Sequence, residues 1–245
     1  MVNIQDLTRL RFLVKIGTGS YRCMVPIGTM SSKNKNAMGS GVAVMNINDR
    51  KYAILQAAAE IFFEKGYSGT SLNAIIAKAG GSKRNFYTEF GGKEGLFRAL
   101  VTENISIYIR ELETVNTSSK SLGATLLEVA CCVLRSYTEP VPVGLYRIFM
   151  MDGARFPEIG KIFLENGPGK VVDFIAGVLE LAGTRGEIPV HDYWKSADIF
   201  SGMLRGTMFQ ELMLGLRSTP DEEERQAFAR SVVAIFMDGV SGLNT

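Results

Sequence analysis

Residues 82–90 read SKRNFYTEF, an order that puts hydrogen-bonding and apolar side chains on opposite sides of one short helix. Lys83 and Arg84 can donate to guanine O6 and N7, and Asn85 can pair with adenine N6 and N7. Phe86 and Phe90 lie four residues apart, so they share a helix face and anchor it to a core. Ser82 is placed to cap this helix, whose start offers main-chain N–H groups suited to phosphate oxygens. Tyr87 and Lys93 add side-chain donors for phosphate. An earlier short helix, capped by Thr70 or Ser71 and offering the N–H groups of its own start to phosphate oxygens, runs to Ala79, and Gly80-Gly81 forces a turn between the two. Residues 70–89 thus have the size and punctuation of a helix-turn-helix, in which the first helix crosses the DNA backbone and the second enters the major groove. The bland reading of the same residues is a solvated helical hairpin.

The elements that must hold these residues are helical throughout. Ile54, Ala58, Ile61 and Phe62 mark the inner face of a helix that Gly66 ends. A long helix from Lys93 to about Val115 carries Leu96, Phe97, Leu100, Val101, Ile105, Tyr108 and Leu112 at helical spacing. Further helices are expected at about 120–137, 143–152, 155–166, 168–182 and 192–216. A last one is opened by Thr219-Pro220-Asp221-Glu222, with proline at the first helical position and acids in the first turn. No strand pattern of comparable length exists, so the fold is expected to be all-α, with a three-helix DNA-binding domain at 48–92 and a larger helical domain at 93–245. Residues 17–45 lack periodicity, and 1–47 reads as a disordered or non-native extension, since Met30, Met38 and Met45 offer later starts than Met1.

Composition narrows the chemistry. The 245 residues carry 27 Lys and Arg against 25 Asp and Glu. That near balance hides a gradient: residues 1–48 sum to +5, 49–98 to +3 and 99–245 to −6. One histidine and three cysteines exclude a Cys/His zinc finger or a His-rich catalytic metal centre, and no cofactor motif is present. Cys131 and Cys132 are adjacent and read as small buried apolar residues, consistent with a reducing cytoplasm. No apolar run approaches the ~18–20 residues of a membrane span. An all-helical enzyme would have His191-Asp192 as its one adjacent imidazole and carboxylate, and sequence adjacency does not make a catalytic geometry.

The stretch RKYAILQAAAEIFFEKGYSGTSLNAIIAKAGGSKRNFYTEFGGKEGLFRAL, residues 50–100, resembles the N-terminal domain of TetR/AcrR-family transcriptional regulators. The shared elements are the A..IF.EKGY.GTS helix and cap, the AG.S turn, the Tyr followed by.EF, and the KE.LF that opens the connecting helix. Three positions depart from the family pattern: Ile76 stands at a usually small position, Gly81 replaces an apolar residue, and Arg84 stands where a small residue is common. The resemblance implies a homodimeric regulator, usually a repressor, that binds a palindromic operator and carries a variable C-terminal domain for effector binding and dimerisation.

Two surfaces in the C-terminal part follow from residue type. Ile199, Gly202, Gly206, Phe209, Met213, Phe228, Val232, Ile235 and Phe236 give the last two helices wide apolar faces, which form either a dimeric four-helix bundle or the protomer's own core. Tyr108, Tyr137, Tyr146, Phe149, Met150, Phe163, Phe174 and Met203 could line an apolar pocket with a few orienting hydroxyls, or fill a core. The resemblance favours the pocket and implies a small, largely apolar effector; a DNA-binding regulator without a ligand is the alternative.

Overall fold

Apolar side chains repeating every three to four residues resolve into eleven helices among the described residues of the computed structural model, namely 13–16, 20–23, 47–118 and 120–241. The chain divides into two compact units, Met1–Leu100 and Val101–Thr245. The extension expected at 1–47 falls mostly outside the described residues. Within it, β1 (Leu13–Ile16) and β2 (Ser20–Cys23) pair antiparallel, with Val14 opposite Arg22 and Ile16 opposite Ser20. From Ile47 onward every regular element among the described residues is a helix, as expected of an all-α fold; a four-residue strand is too short a pattern to separate from a chance apolar run.

The first unit is built around aromatic rings. Helix α1 (Ile47–Gly69) is broken at Gly66, whose backbone leaves the helical region at φ 71°, ψ 173°. Beyond the break Tyr67 turns back into the core, its ring 5.0 Å from Phe97 and 5.8 Å from Phe62. Helices α2 (Leu72–Ala79) and α3 (Lys83–Phe90) add Ile75, Phe86 and Phe90 to the same interior, and the start of α4 (Lys93–Glu113) adds Leu96, Phe97 and Leu100. Each such burial contributes about 1.5–3 kcal/mol against exposure. The entry of α4 is fitted tightly under α3, because a Cβ on Gly95 would stand 1.7 Å from the Phe90 carbonyl oxygen.

In the second unit α5 (Leu122–Thr138) is the central element, with buried residues on most of its sides, including Leu126, Val129, Val133 and Tyr137. Around it stand α6 (Pro140–Asp152), α7 (Pro157–Asn166) and α8 (Pro168–Thr184), each opened by a proline in its first turn, where the missing N–H costs nothing. Arg135 on α5 pairs with Glu111 on α4 and, at 3.8 Å, with Glu222 at the start of α11 (Glu222–Ser241). The single helix expected at 192–216 is two, α9 (Tyr193–Met203) and α10 (Thr207–Leu214), separated at Gly206. A Cβ at Gly206 would lie 3.2 Å from the Phe228 ring, so the break lets α11 approach closely. The cap of α11 is Asp221, whose carboxylate accepts from Glu224 N at 2.8 Å, rather than Thr219.

Two glycines predict opposite outcomes. Gly95→Ala forces backbone against backbone and should destabilise by about 3 kcal/mol, lowering Tm by roughly 6–12 °C. Gly177→Ala, on α8 with nothing within 4 Å of the added carbon, should stabilise by about 0.5–1 kcal/mol through helix propensity. Thermal denaturation of both variants checks the fit, and equal effects would contradict it.

Candidate functional site

Helix α3 presents the expected division of labour. Phe86 and Phe90 are buried, with ring centroids 6.1 Å apart, while Ser82, Lys83, Arg84 and Asn85 are exposed and Tyr87 is half exposed. The Ser82 hydroxyl accepts from Asn85 N at 3.3 Å, which fixes the first turn and faces its remaining N–H groups outward. Ser71 caps α2 in the same way, accepting from Ala74 N at 3.2 Å. Among the described residues neither Lys83 nor Arg84 forms an ion pair, whereas Lys78 on α2 is held 2.6 Å from Glu60. The start of α3 is therefore a hydrogen-bonding surface whose two cations have no ion-pair partner among the described residues.

Two expected phosphate contacts are committed elsewhere. Thr70 is buried, and its hydroxyl donates to Gly66 O at 2.7 Å, so Ser71 alone caps α2. Lys93 donates to Tyr67 O at 2.9 Å and Thr70 O at 3.0 Å, and its ammonium lies 4.4 Å from the Tyr67 ring centroid. Past the break at Gly66 the Tyr67 and Thr70 carbonyls both accept from this ammonium at the start of α4, the Tyr67 oxygen in addition to its bond from Thr70 N at 3.3 Å. Conversely, Arg50 on α1 is exposed with Nη2 3.0 Å from where a Cβ on Gly81 would stand. The glycine, at φ 108°, makes the turn and leaves room for Arg50 beside it. The small residue at 81 accommodates this arginine, which puts a further cation beside the turn that leads into α3.

The second unit holds a cavity of about 50 Å³ walled by α4, α5, α6, α7 and the start of α8. Four of the expected pocket residues, Tyr108, Tyr137, Tyr146 and Phe163, line it. Phe149 stands behind them, its ring stacked 4.3 Å from Phe163. Met150 is 80% exposed and points to solvent, and Phe174 and Met203 pack against the unit's main core instead. Asn104, Ile105, Ser136, Leu145 and Gly167 are among the other residues of the wall; in sequence nothing separates such residues from ordinary core positions. Burial, reinforced by the charge and hydrogen bond of Glu139, pushes the Tyr108 hydroxyl well above its ordinary pKa, with Oη 2.8 Å from the Glu139 carboxylate. Burial and the neighbouring Tyr137 push Tyr146 in the same direction. Both are neutral donors near pH 7.

A second, more polar cavity of about 470 Å³ lies around Arg135, Glu111, Glu222 and the two cysteines. Burial pushes the Cys132 thiol up to about 11, and Cys131 also upward, which keeps both protonated as expected for packing residues.

The expected dimer residues separate into two sets. Val232 and Phe236 are buried in the protomer's own core, where Phe236 meets Phe200 at 4.8 Å, and Phe209, Met213 and Phe228 pack against it, as does the Gly206 break. Ile199 and Ile235 remain 54% and 65% exposed, with Gly202 open beside Ile199 on the same helix. The imidazole–carboxylate pair is structural: His191 Nδ1 lies 2.8 Å from Pro189 O, and Asp192 caps α9 by accepting from Lys195 N at 2.9 Å.

Loss of the α4 clip should be measurable: Lys93→Met removes the donor from two carbonyls and should cost about 2 kcal/mol in urea denaturation. Unchanged stability would contradict this role.

Comparison with known proteins agrees with the geometry. Residues 54–100 match the model of bacterial regulatory proteins of the tetR family, and residues 124–239 match that of the AefR-like transcriptional repressor C-terminal domain. The Bacillus subtilis HTH-type transcriptional regulator YvkB is 26% identical over 188 residues, 77% of this chain and 95% of YvkB. A solved TetR-family regulator from Mesorhizobium loti is 26% identical at a TM-score of 0.68, covering 78% of this chain and 96% of that one. The flavonoid-responsive regulator FrrA is 26% identical at a TM-score of 0.67, covering 80% and 100%. With both halves matched and the helix-turn-helix in place, the chain belongs to the TetR family of transcriptional regulators.

Proposed function

We propose that this regulator is a cytoplasmic homodimeric repressor that reads a palindromic operator and leaves it when a small, largely apolar effector fills the cavity of the second unit. The observation that carries the DNA-reading part is α3, with Phe86 and Phe90 inside and Lys83, Arg84 and Asn85 in water. Arg84 and Asn85 suit base edges, Ser71, Ser82 and Tyr87 suit phosphates, and Arg50 joins them as a further cation. Exposed Ile199, Gly202 and Ile235 support pairing of α9 and α11 with a second copy.

The aromatic cavity and the flavonoid response of FrrA support an effector. An effector acts only through different affinities for DNA-competent and DNA-incompetent states. Helix α4 is the candidate transmitter, since it opens in the first unit and its later residues wall the cavity. A second reading, regulation without a ligand, draws support from the small size of the cavity, well below the ~300–1,000 Å³ of ordinary ligand sites. The relatives named above are regulators, in keeping with a non-enzymatic role.

Binding to the DNA upstream of the protein's own gene should be saturable and sequence-dependent. Arg84→Ala should relax specificity at one base pair at a cost of about 1–3 kcal/mol, whereas Arg50→Ala should weaken all sequences alike and lower the salt slope by about one. Weak binding indifferent to sequence would contradict the reading. Sedimentation should give a dimer at micromolar concentration and a monomer for Ile235→Glu; a monomeric parent protein would remove the palindrome.

A further inference from the structure

The aromatic cavity can be described by which of its polar groups are already used. The Tyr108 hydroxyl donates to Glu139 at 2.8 Å, the Ser136 hydroxyl donates to Val133 O at 2.7 Å, and Tyr137 Oη shares a hydrogen bond of 3.2 Å with Ser201. The Tyr146 hydroxyl alone among these is buried without a hydrogen bond of ordinary geometry, although Tyr137 and Arg205 act on it electrostatically. Leaving such a group unpaired costs about 1–3 kcal/mol, so an occupant that supplies an acceptor recovers it. The wall contains no Lys, Arg, His, Asp or Glu, and apart from the Asn104 carboxamide the remaining surface is aliphatic or aromatic. A charged occupant would lose its hydration with no counter-charge in the lining itself to replace it.

Size points to the wall that yields. About 50 Å³ admits only a few waters at ~10–15 Å³ each, so a ligand needs more room. Helix α7 is the least anchored wall: Ile159 is its one buried residue, and its N-terminus has no side-chain cap. Its Phe163 ring stands edge-on to Tyr146 at 4.6 Å and is the side chain an occupant would displace.

We propose that the effector is an uncharged, mainly aromatic molecule bearing one hydrogen-bond acceptor, which takes its bond from the Tyr146 hydroxyl. This rests on the effector reading above. The test uses three shape-matched probes on the full chain, measured by equilibrium dialysis at pH 7.5: 2-acetylnaphthalene, 2-ethylnaphthalene and 2-naphthoate. The ketone should bind about fivefold to tenfold more tightly than the ethyl compound, and Tyr146→Phe should abolish that difference while leaving the ethyl compound unaffected. The carboxylate should bind at least about a hundredfold more weakly than the ketone. Naphthoate binding as tightly as the ketone, a ketone indifferent to Tyr146→Phe, or no binding by any probe would overturn the proposal. Release from operator DNA is scored separately. A ketone that binds in this pattern without releasing DNA overturns the effector reading alone, whereas release by naphthoate sustains that reading and overturns the ligand class.

Discussion

Burial of Phe86 and Phe90 is the constraint from which the DNA-facing surface follows. An eight-residue helix cannot hold itself in water, so α3 exists because these two rings are taken into the core made by α1, α2 and the start of α4. Once they are inside, helical geometry puts Lys83, Arg84 and Asn85 outside. The surrounding details keep that orientation unique: the turn at Gly80-Gly81, the Ser82 cap, the contact of Gly95 with the Phe90 carbonyl, and the Lys93 clip across the break in α1. Lysine is used in two ways within one small unit, as a structural cation at 93 and as a solvent-facing one at 83. The difference lies in whether main-chain carbonyls stand within reach.

The second unit solves a different problem. Helix α5 is surrounded, so its polar groups must be matched internally, and Arg135 and Tyr137 are matched by Glu111 and Ser201. The same region leaves Tyr146 unmatched beside an apolar cavity. Of the four buried side-chain polar atoms without a hydrogen bond among the described residues, the Tyr146 hydroxyl is the one on a residue that lines this cavity. Tyr108 both lines that cavity and is tied to Glu139, so whatever enters touches a residue of α4 directly.

Much of this was readable in the residues themselves. The caps, the glycine turn and the Phe86/Phe90 spacing predict the helix-turn-helix because they are local rules that act within a few residues. What sequence could not separate was inside from outside across helices. Met150 and Phe149 are neighbours of like character, yet one is in water and the other under Phe163. Val232, Ile235 and Phe236 share one helix, and only the packing of Phe200 shows that Phe236 belongs to the protomer while Ile235 faces out. Lys93 matched the pattern of a phosphate donor; the main-chain break that claims it depends on a backbone angle at Gly66. Arg50 was invisible for the opposite reason, since it lies about thirty residues from the turn it overhangs.

Selection of operators from random-sequence DNA tests most directly the claim that the exposed start of α3 reads base edges in a two-fold assembly. The unaltered protein should enrich two inverted half-sites whose centres lie about 34–36 Å apart or a multiple of that. The double variant Arg84→Ala, Asn85→Ala should lose base preference at the same positions in both halves while still retaining DNA. Enrichment of no consensus by the unaltered protein, or an unchanged consensus in the variant, would contradict the account.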